Sequence, residues 1–443
     1  MNIVQITPGA GGMYCGNCFR DNALVGALRQ MGEQTLMVPL YLPMTLDEED
    51  NSAGTPIFFG GINVYLEEKS ALFRRAPRWI KRVLDHPALL HWAAGRAAKT
   101  RASDVGGLTL SMLAGEEGHQ AEELTELIRW LHGSTVPDVI CLSNALLVGM
   151  ARRLRQELSV PVVCFLQGED SFLDALTAPY RERAWALLAE RAKDVDLFIA
   201  PSRYFGDLMS DRLRLPAHKV RVVHNGIHAD GYGGASTGTP PVVGFFARMC
   251  LEKGLDTLVD AFLVLQQRPG MKDVRLHVGG SMGPSDSKLV EQLRAKLESQ
   301  GLSNQVAFFP NVDKKAKQDF YRSLSVLSVP ARYGEAFGLY LVEAWASGVP
   351  VVQPRVASFP ELIGASGGGL LCEPNDPVSL ADGLEKVLVN PVLRQKLAAD
   401  GRAAVAREFT IERMAQRLAE LYRELSNRRS PSARPVWTSA SPV

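Results

Sequence analysis

The chain has 443 residues, and its 49 lysines and arginines nearly balance 48 aspartates and glutamates, for a formal charge of +1. That length allows two or three domains with substantial cores, and the balanced charge excludes a global field that would draw the protein onto nucleic acid or an acidic membrane. No uncharged apolar run approaches about 18 residues and the first segment reads as a strand, so neither a membrane span nor a signal peptide is expected, and the expected location is the cytoplasm.

Asn2 to Thr7 is the first predicted strand, and Pro8-Gly9-Ala10-Gly11-Gly12 follows at its carboxyl end. In an open parallel sheet that end is where ligands bind. A dinucleotide fingerprint would need glycine where Tyr14 stands and an acidic residue ending the second strand, where Met37-Val38-Pro39 stands, so an NAD site is excluded. No Walker-type phosphate loop occurs either. Cys15-Gly16-Asn17-Cys18 matches C-x-x-C; structural packing is the first reading, with a redox pair or half of a zinc site as alternatives. The six cysteines are irregularly spaced, as reduced thiols are, and Cys141, Cys164 and Cys372 lie in apolar runs. Phe19 to Met31 reads as a helix stopped by Gly32, and Thr35 to Leu40 as the second strand.

Residues 66–136 break the strand-helix rhythm and read as a helical insertion. Within 71–101, Arg74, Arg75, Arg78, Lys81, Arg82, Arg96 and Lys99 are interleaved with Phe73, Trp79, Ile80, Leu84 and Trp92. Such a pattern can lie peripherally on a membrane. The acidic stretch Glu116 to Glu126 favours packing on the same domain instead.

The rhythm then returns with strand Asp138–Leu142, helix Asn144–Leu158, strand Pro161–Leu166, helix Tyr180–Lys193 and strand Leu197–Pro201. Ser202 caps a helix over Arg203–Leu213, and strand Val220–Val223 completes a first Rossmann-like half, residues 1–228. Residues 229–241, rich in Gly, Ser, Thr and Pro, read as a linker. A second half, 242–405, repeats the alternation: strand Val242–Ala247, helix Leu255–Gln267 with one apolar face, strand Val274–Val278, helix Lys288–Ser299, strand Val306–Phe309 and helix Lys314–Leu324. Asp376-Pro377 and Asn390-Pro391 each set a cap before an N1 proline. A last amphipathic helix spans Thr410–Leu425 within 406–426, and 427–443 read as a disordered tail.

The stretch Ser325 to Gln353 concentrates the chemistry. Strand Ser325–Val329 ends at Pro330, a loop carries Gly334 and Gly338, helix Leu339–Ala346 follows, and Val349–Val352 is another buried strand. A helix starting near Gly338 aims the N–H groups of Ala336, Phe337, Gly338 and Leu339 and its positive end at whatever sits above the strand ends, which favours phosphate. Glu335 then lies beside the group attached to that phosphate, and Glu343, down the helix, can accept from hydroxyls such as a ribose diol.

Glu335, seven residues and Glu343, with AFGL between them and EAWASGVPVV behind, resemble the E-x7-E signature of retaining GT-B glycosyltransferases of family 4. The resemblance implies two Rossmann-like doubly wound parallel-sheet domains facing across a cleft, with the closing helix crossing back to the first. It implies a hexosyltransferase that takes a UDP- or GDP-sugar as substrate, needs no cofactor or metal, and acts on a hydroxyl acceptor with retention of configuration. Gly11 and Gly12 would lie against the donor. Arg248 and Lys253, in GFFARMCLEKG, are similar to the family's strand, Arg, four residues, Lys-Gly arrangement and would hold the diphosphate, with Gly254 permitting close approach. Glu335 would hold the transferred sugar and Glu343 the ribose. His224-Asn225-Gly226-Ile227 resembles a family turn whose usual Asp is His228 here, and the Pro360-Glu361 of SFPELI reads as structural. After PVVCFL many relatives carry a His; this chain has Gln167-Gly168-Glu169-Asp170. Gln167 cannot take a proton, so positioning the sugar or acceptor is the role left to it, with Glu169 or Asp170 as a second contact. A GT-B protein that binds nucleotide sugar without transferring it, or a GT-B epimerase, is the alternative.

Overall fold

The computed structural model describes residues 1–9, 16–44, 48–52, 54–59, 105–234 and 239–428. Gly11, Gly12, Cys15, the basic pattern of 71–101 and the tail from 429 lie outside the described residues. The chain divides into two compact units, one of Met1–Pro201, Gly206–Val223 and Ala415–Val443, the other of Ser202–Phe205 and His224–Met414.

In the first unit, six parallel strands are seen among the described residues: β1 (Asn2–Thr7), β2 (Gln34–Pro39), β3 (Val139–Leu142), β4 (Val162–Phe165), β5 (Leu197–Ala200) and β6 (Val220–Val222). Their order is β2-β1-β3-β4-β5-β6. β3, β4 and β5 are buried at every residue, which is why their sequences run apolar without alternation. The last helix, Ile411–Asn427, brings buried Tyr422 to this unit's core. Of the expected insertion, helices Gly106–Ala114 and Ala121–Ser134 are described.

The second unit carries β7 (Val242–Phe246), β8 (Arg275–Gly280), β9 (Val306–Pro310), β10 (Val326–Leu327), β11 (Val351–Pro354) and β12 (Gly369–Cys372) in the order β12-β11-β10-β7-β8-β9. The chain runs outward from β7 to β9, then returns to β10 on the other side of β7, so the winding reverses between β7 and β10. Side chains above that point have the carboxyl ends of two adjacent strands beneath them, the usual place for a ligand in this architecture.

Several expected elements are corrected in detail. The helix expected from Phe19 already runs over Gly16–Gln30. The helix expected over Asn144–Leu158 opens as a 3-10 turn, Ala145–Met150, before an α-helix over Ala151–Glu157; Gly149 is pressed there against Met112, whose carbonyl oxygen would lie 2.1 Å from an added Cβ. β10 pairs over two residues, because the Val329 N–H leaves the ladder for the Gln353 side chain (3.2 Å). β11 starts later than expected, at Val351, and helix Phe359–Ser366 and strand β12 were not expected as elements. The expected caps do form: Asp376 accepts from Val378 and Ser379, and Asn390 from Leu393, each worth about 1 kcal/mol. Among the described residues, no helix is long and apolar enough to cross a membrane.

Candidate functional site

The loop after β10 is tied back so that its carbonyls face the protein. The Glu335 carbonyl accepts from the Ser358 N–H (3.3 Å), that of Ala336 from the Ser202 hydroxyl (2.6 Å), and that of Phe337 from the Ser358 hydroxyl (3.1 Å). Ser202 also accepts from the Phe205 N–H at 3.1 Å, so the expected helix cap anchors this loop too. Gly338, at φ 87°, turns the chain into helix Leu339–Ala346, a conformation that suits glycine. The N–H groups from Ala336 to Tyr340 have no hydrogen-bond partner among the described residues. A run of open donors at a helix start, with the positive end of the helix dipole, is a ready seat for an anion.

The loop after β7 lies beside this one because β7 and β10 are neighbours, with Val243 opposite Val326 and Gly244 opposite Leu327. Three contacts join the two loops. The Arg332 N–H donates to the Glu252 carbonyl (3.0 Å), the Arg332 guanidinium pairs with Asp256, and Lys253 Nζ donates to Glu335 Oε2 at 2.5 Å. Gly254, at φ 72°, makes this approach possible: a Cβ there would lie 1.9 Å from the Pro330 carbonyl oxygen. The close approach is thus to a neighbouring loop of the chain itself. Burial alone would lower the Lys253 pKa, but the charge and hydrogen bond of Glu335 outweigh it and hold the ammonium above the ordinary lysine value. Tyr340, in the first turn of the helix, also donates to Glu335 Oε2 (2.9 Å).

Arg248 is set in a fork by Asp286, through Nε at 3.1 Å and Nη2 at 2.8 Å. That hydrogen bonding is the main cause of its raised pKa. Asp286 is 5% exposed while the Arg248 side chain remains 55% exposed, so a buried carboxylate aims a cation that still meets solvent.

Glu343 forms a separate cluster. Its carboxylate accepts from Lys317 Nζ (2.8 Å), the Tyr321 hydroxyl (2.8 Å) and the Tyr232 hydroxyl (3.1 Å). Three of a carboxylate's roughly four acceptor directions are therefore filled. Tyr232 belongs to the segment read as a linker, and Asp230 and Gly231 beside it accept from Gln318 and Arg322, so that part of the segment is fastened to the second unit.

Gln167 lies in the first unit at the carboxyl end of β4, half-buried, followed by Gly168 at φ 94°. Glu169 is not available as a second substrate contact: it is buried and accepts from the N–H groups of Ala145 and Gln167, both at 2.8 Å, which joins the ends of β3 and β4. Burial pushes its carboxyl up. Cys18 is buried, as are the free thiols of Cys141, Cys164, Cys250 and Cys372. Glu361 is structural as read: it accepts from the N–H groups of Arg203 and Tyr204.

The structure thus gathers Arg248, Lys253, Glu335 and Ala336–Leu339 at the β7/β10 switch, with Glu343 one to two turns below. Sequence reasoning missed Asp286, Tyr340, Lys317, Tyr321 and Tyr232, all partners of residues it named. Among the described residues, no three His, Cys, Asp or Glu side chains converge in a metal-holding group.

Residues 234–404 match the family model described as Glycosyl transferases group 1, and residues 104–230 that described as Glycosyltransferase Family 4. The chain is similar to the D-inositol 3-phosphate glycosyltransferase of Xylanimonas cellulosilytica, 29% identical over 409 residues, which are 84% of this chain and 93% of that protein. Its namesake from Saccharomonospora viridis is 34% identical over 197 residues, covering 43% of this chain and 45% of its own. Among solved structures, sucrose-phosphate synthase from Thermosynechococcus elongatus matches with a TM-score of 0.72 at 19% identity, covering 97% of this chain and all (100%) of that one. HepE from Anabaena, in complex with UDP and glucose, matches with a TM-score of 0.64 at 17% identity, covering 96% of this chain and 100% of that one. At such identities these two show the fold, which is GT-B.

Proposed function

The chain belongs to the group 1 glycosyltransferases, and we propose that it is a retaining, metal-independent enzyme that moves a hexose from a nucleotide diphosphate donor to a hydroxyl acceptor. The observation that carries this reading is the Lys253–Glu335 pair, set beside the open N–H groups of Ala336 to Leu339 at the switch of the second sheet. A cation and a helix start suit the diphosphate, and a carboxylate beside them suits the hydroxyls of the sugar it carries.

In this reading Lys253 and Arg248 hold the diphosphate, Glu335 the transferred sugar and Glu343, through its remaining acceptor direction, the ribose. Negative charge grows on the departing phosphate as the anomeric carbon–oxygen bond breaks. Cations already fixed by Glu335 and Asp286 meet that charge without reorganising. The acceptor oxygen bonds to the anomeric carbon on the face that the phosphate leaves, and the departing phosphate oxygen takes the acceptor proton. No side-chain base is needed for this step.

HepE was solved with UDP and glucose, and the curated relatives are named for D-inositol 3-phosphate, which selects UDP-glucose and D-inositol 3-phosphate as the first pair of substrates to try. The test is a thermal-shift series with UDP, GDP, ADP and CMP followed by assay of sugar transfer and donor hydrolysis. Binding with turnover is the expected result. Binding without turnover would make the chain a nucleotide-sugar-binding protein, and no binding would overturn the reading.

A further inference from the structure

The two oxygens of Glu335 have different surroundings. Oε2 accepts from both Lys253 Nζ (2.5 Å) and the Tyr340 hydroxyl (2.9 Å), while Oε1 accepts no hydrogen bond from the described residues. Tyr340 is 8% exposed, and its ring lies under the Lys253 ammonium, 6.0 Å from Nζ to the centroid. One side chain therefore touches both members of the pair, with its ring toward the cation and its hydroxyl on the carboxylate. Burial pushes the phenol well above its ordinary range and the Glu335 charge adds to that, so the hydroxyl keeps its proton and donates at any working pH.

We propose that Tyr340 is a positioning residue that fixes the plane of the Glu335 carboxylate and presents Oε1 to the transferred sugar. The inference rests on the reading of Glu335 as the sugar contact. A glutamate's terminal torsion is broad and roughly two-fold, and a lysine ammonium is a point charge on a flexible stem that sets no plane. A hydroxyl on a buried ring donates from one fixed direction. Two donors on Oε2, one of them on a buried ring, hold the group in a single orientation and leave Oε1 as the open acceptor. A sugar hydroxyl then meets a carboxylate that need not turn as the reaction proceeds. The nucleotide draws nothing from this contact, so Tyr340 acts on recognition and turnover of the sugar.

Tyr340→Phe keeps the ring and removes the hydroxyl. It is to be titrated calorimetrically with UDP, GDP and ADP and assayed with the glucose conjugate of whichever binds wild type. The bare nucleotide should bind the variant within about twofold of wild type, while kcat for loss of the sugar falls about tenfold or more, as expected for a hydrogen bond to a charged group. In a Glu335→Ala background the same substitution should have no further effect on kcat, since the group it positions is gone. Unchanged turnover in a folded Tyr340→Phe would overturn the proposal, as would equal losses for bare and sugar-bearing nucleotide or a full further loss in the Glu335→Ala background. If wild type binds none of the three nucleotides, the reading of the site falls and this inference with it. If wild type turns over the donor and Tyr340→Phe matches it, the assignment of Tyr340 alone falls.

Discussion

Lys253 Nζ and Glu335 Oε2 stand 2.5 Å apart although the two residues are 82 positions apart in the chain. Each comes from the loop at the end of one of two neighbouring strands, and in the free protein each neutralises the other. The Lys253 ammonium keeps further N–H donors for a phosphate, and Glu335 Oε1, which accepts no hydrogen bond from the described residues, is left for a sugar hydroxyl. A ligand carrying both groups side by side matches this pair better than either group alone, which is the physical case for a nucleotide sugar rather than a bare nucleotide.

The two cations should not be equivalent. Lys253 is more enclosed than Arg248, whose side chain is 55% exposed. Lys253→Ala should weaken nucleoside diphosphate binding by about 1.5–3 kcal/mol, the worth of a charge-assisted hydrogen bond, and Arg248→Ala by less. Calorimetric titration of both variants checks the order, and a larger loss in Arg248→Ala would reverse it.

The diphosphate charge is met in this account by groups fixed in the chain. Transfer should therefore persist in saturating EDTA, measured on protein passed through a chelating column beforehand. A loss restored by added magnesium or manganese would show that a metal belongs in the site.

Gly254 and Gly270 both have φ in the left-handed region, 72° and 76°, but a Cβ at Gly254 would strike the Pro330 carbonyl oxygen at 1.9 Å, whereas one at Gly270 meets nothing within 4 Å. Gly270→Ala should cost about 1 kcal/mol of stability, the backbone strain alone. Gly254→Ala should cost more and also weaken donor binding, because the two loops must part. Equal melting temperatures for the two variants would contradict this.

Glu361 supplies a pH test of the second unit. Burial opposes its ionisation, but the His224 hydrogen bond and the N–H groups of Arg203 and Tyr204 outweigh that and hold its pKa below 4.5. A carboxyl lowered in the folded state contributes stability that is present above its unfolded pKa and lost as pH falls through the folded value. The melting temperature of Glu361→Gln should thus lie below wild type at neutral pH and the gap should narrow below pH 4.5. A gap that widens on acidification would reverse the sign.

What could be read in the sequence was what is local. Asp376 and Asn390 cap helices because each stands directly before a proline at N1, and the Gly338 turn into Leu339–Ala346 shows in the spacing of glycine and apolar residues. β12 escaped notice because Gly369–Cys372 is four residues of edge strand with no alternation to mark it. The tightening of Ala145–Met150 accompanies a tertiary contact at Gly149 that no local pattern records. The site was legible as single residues, and its pairings were not. Asp286 lies 38 residues from Arg248, and Tyr232 lies 111 from Glu343, so only the fold joins them. Tyr340 was within reach, since a helix opening at Leu339 puts its first turn beside the Glu335 loop.

The most direct measurement follows the anomeric proton by NMR while the wild-type chain consumes the glucose conjugate of whichever nucleotide it binds, with D-inositol 3-phosphate as acceptor. The account predicts that the α-linked donor signal is replaced by an α-linked product and that Lys253→Ala and Glu335→Ala slow its appearance. A first-formed β-product, or no consumption of UDP-, GDP- or ADP-glucose with any acceptor or with water, would contradict it.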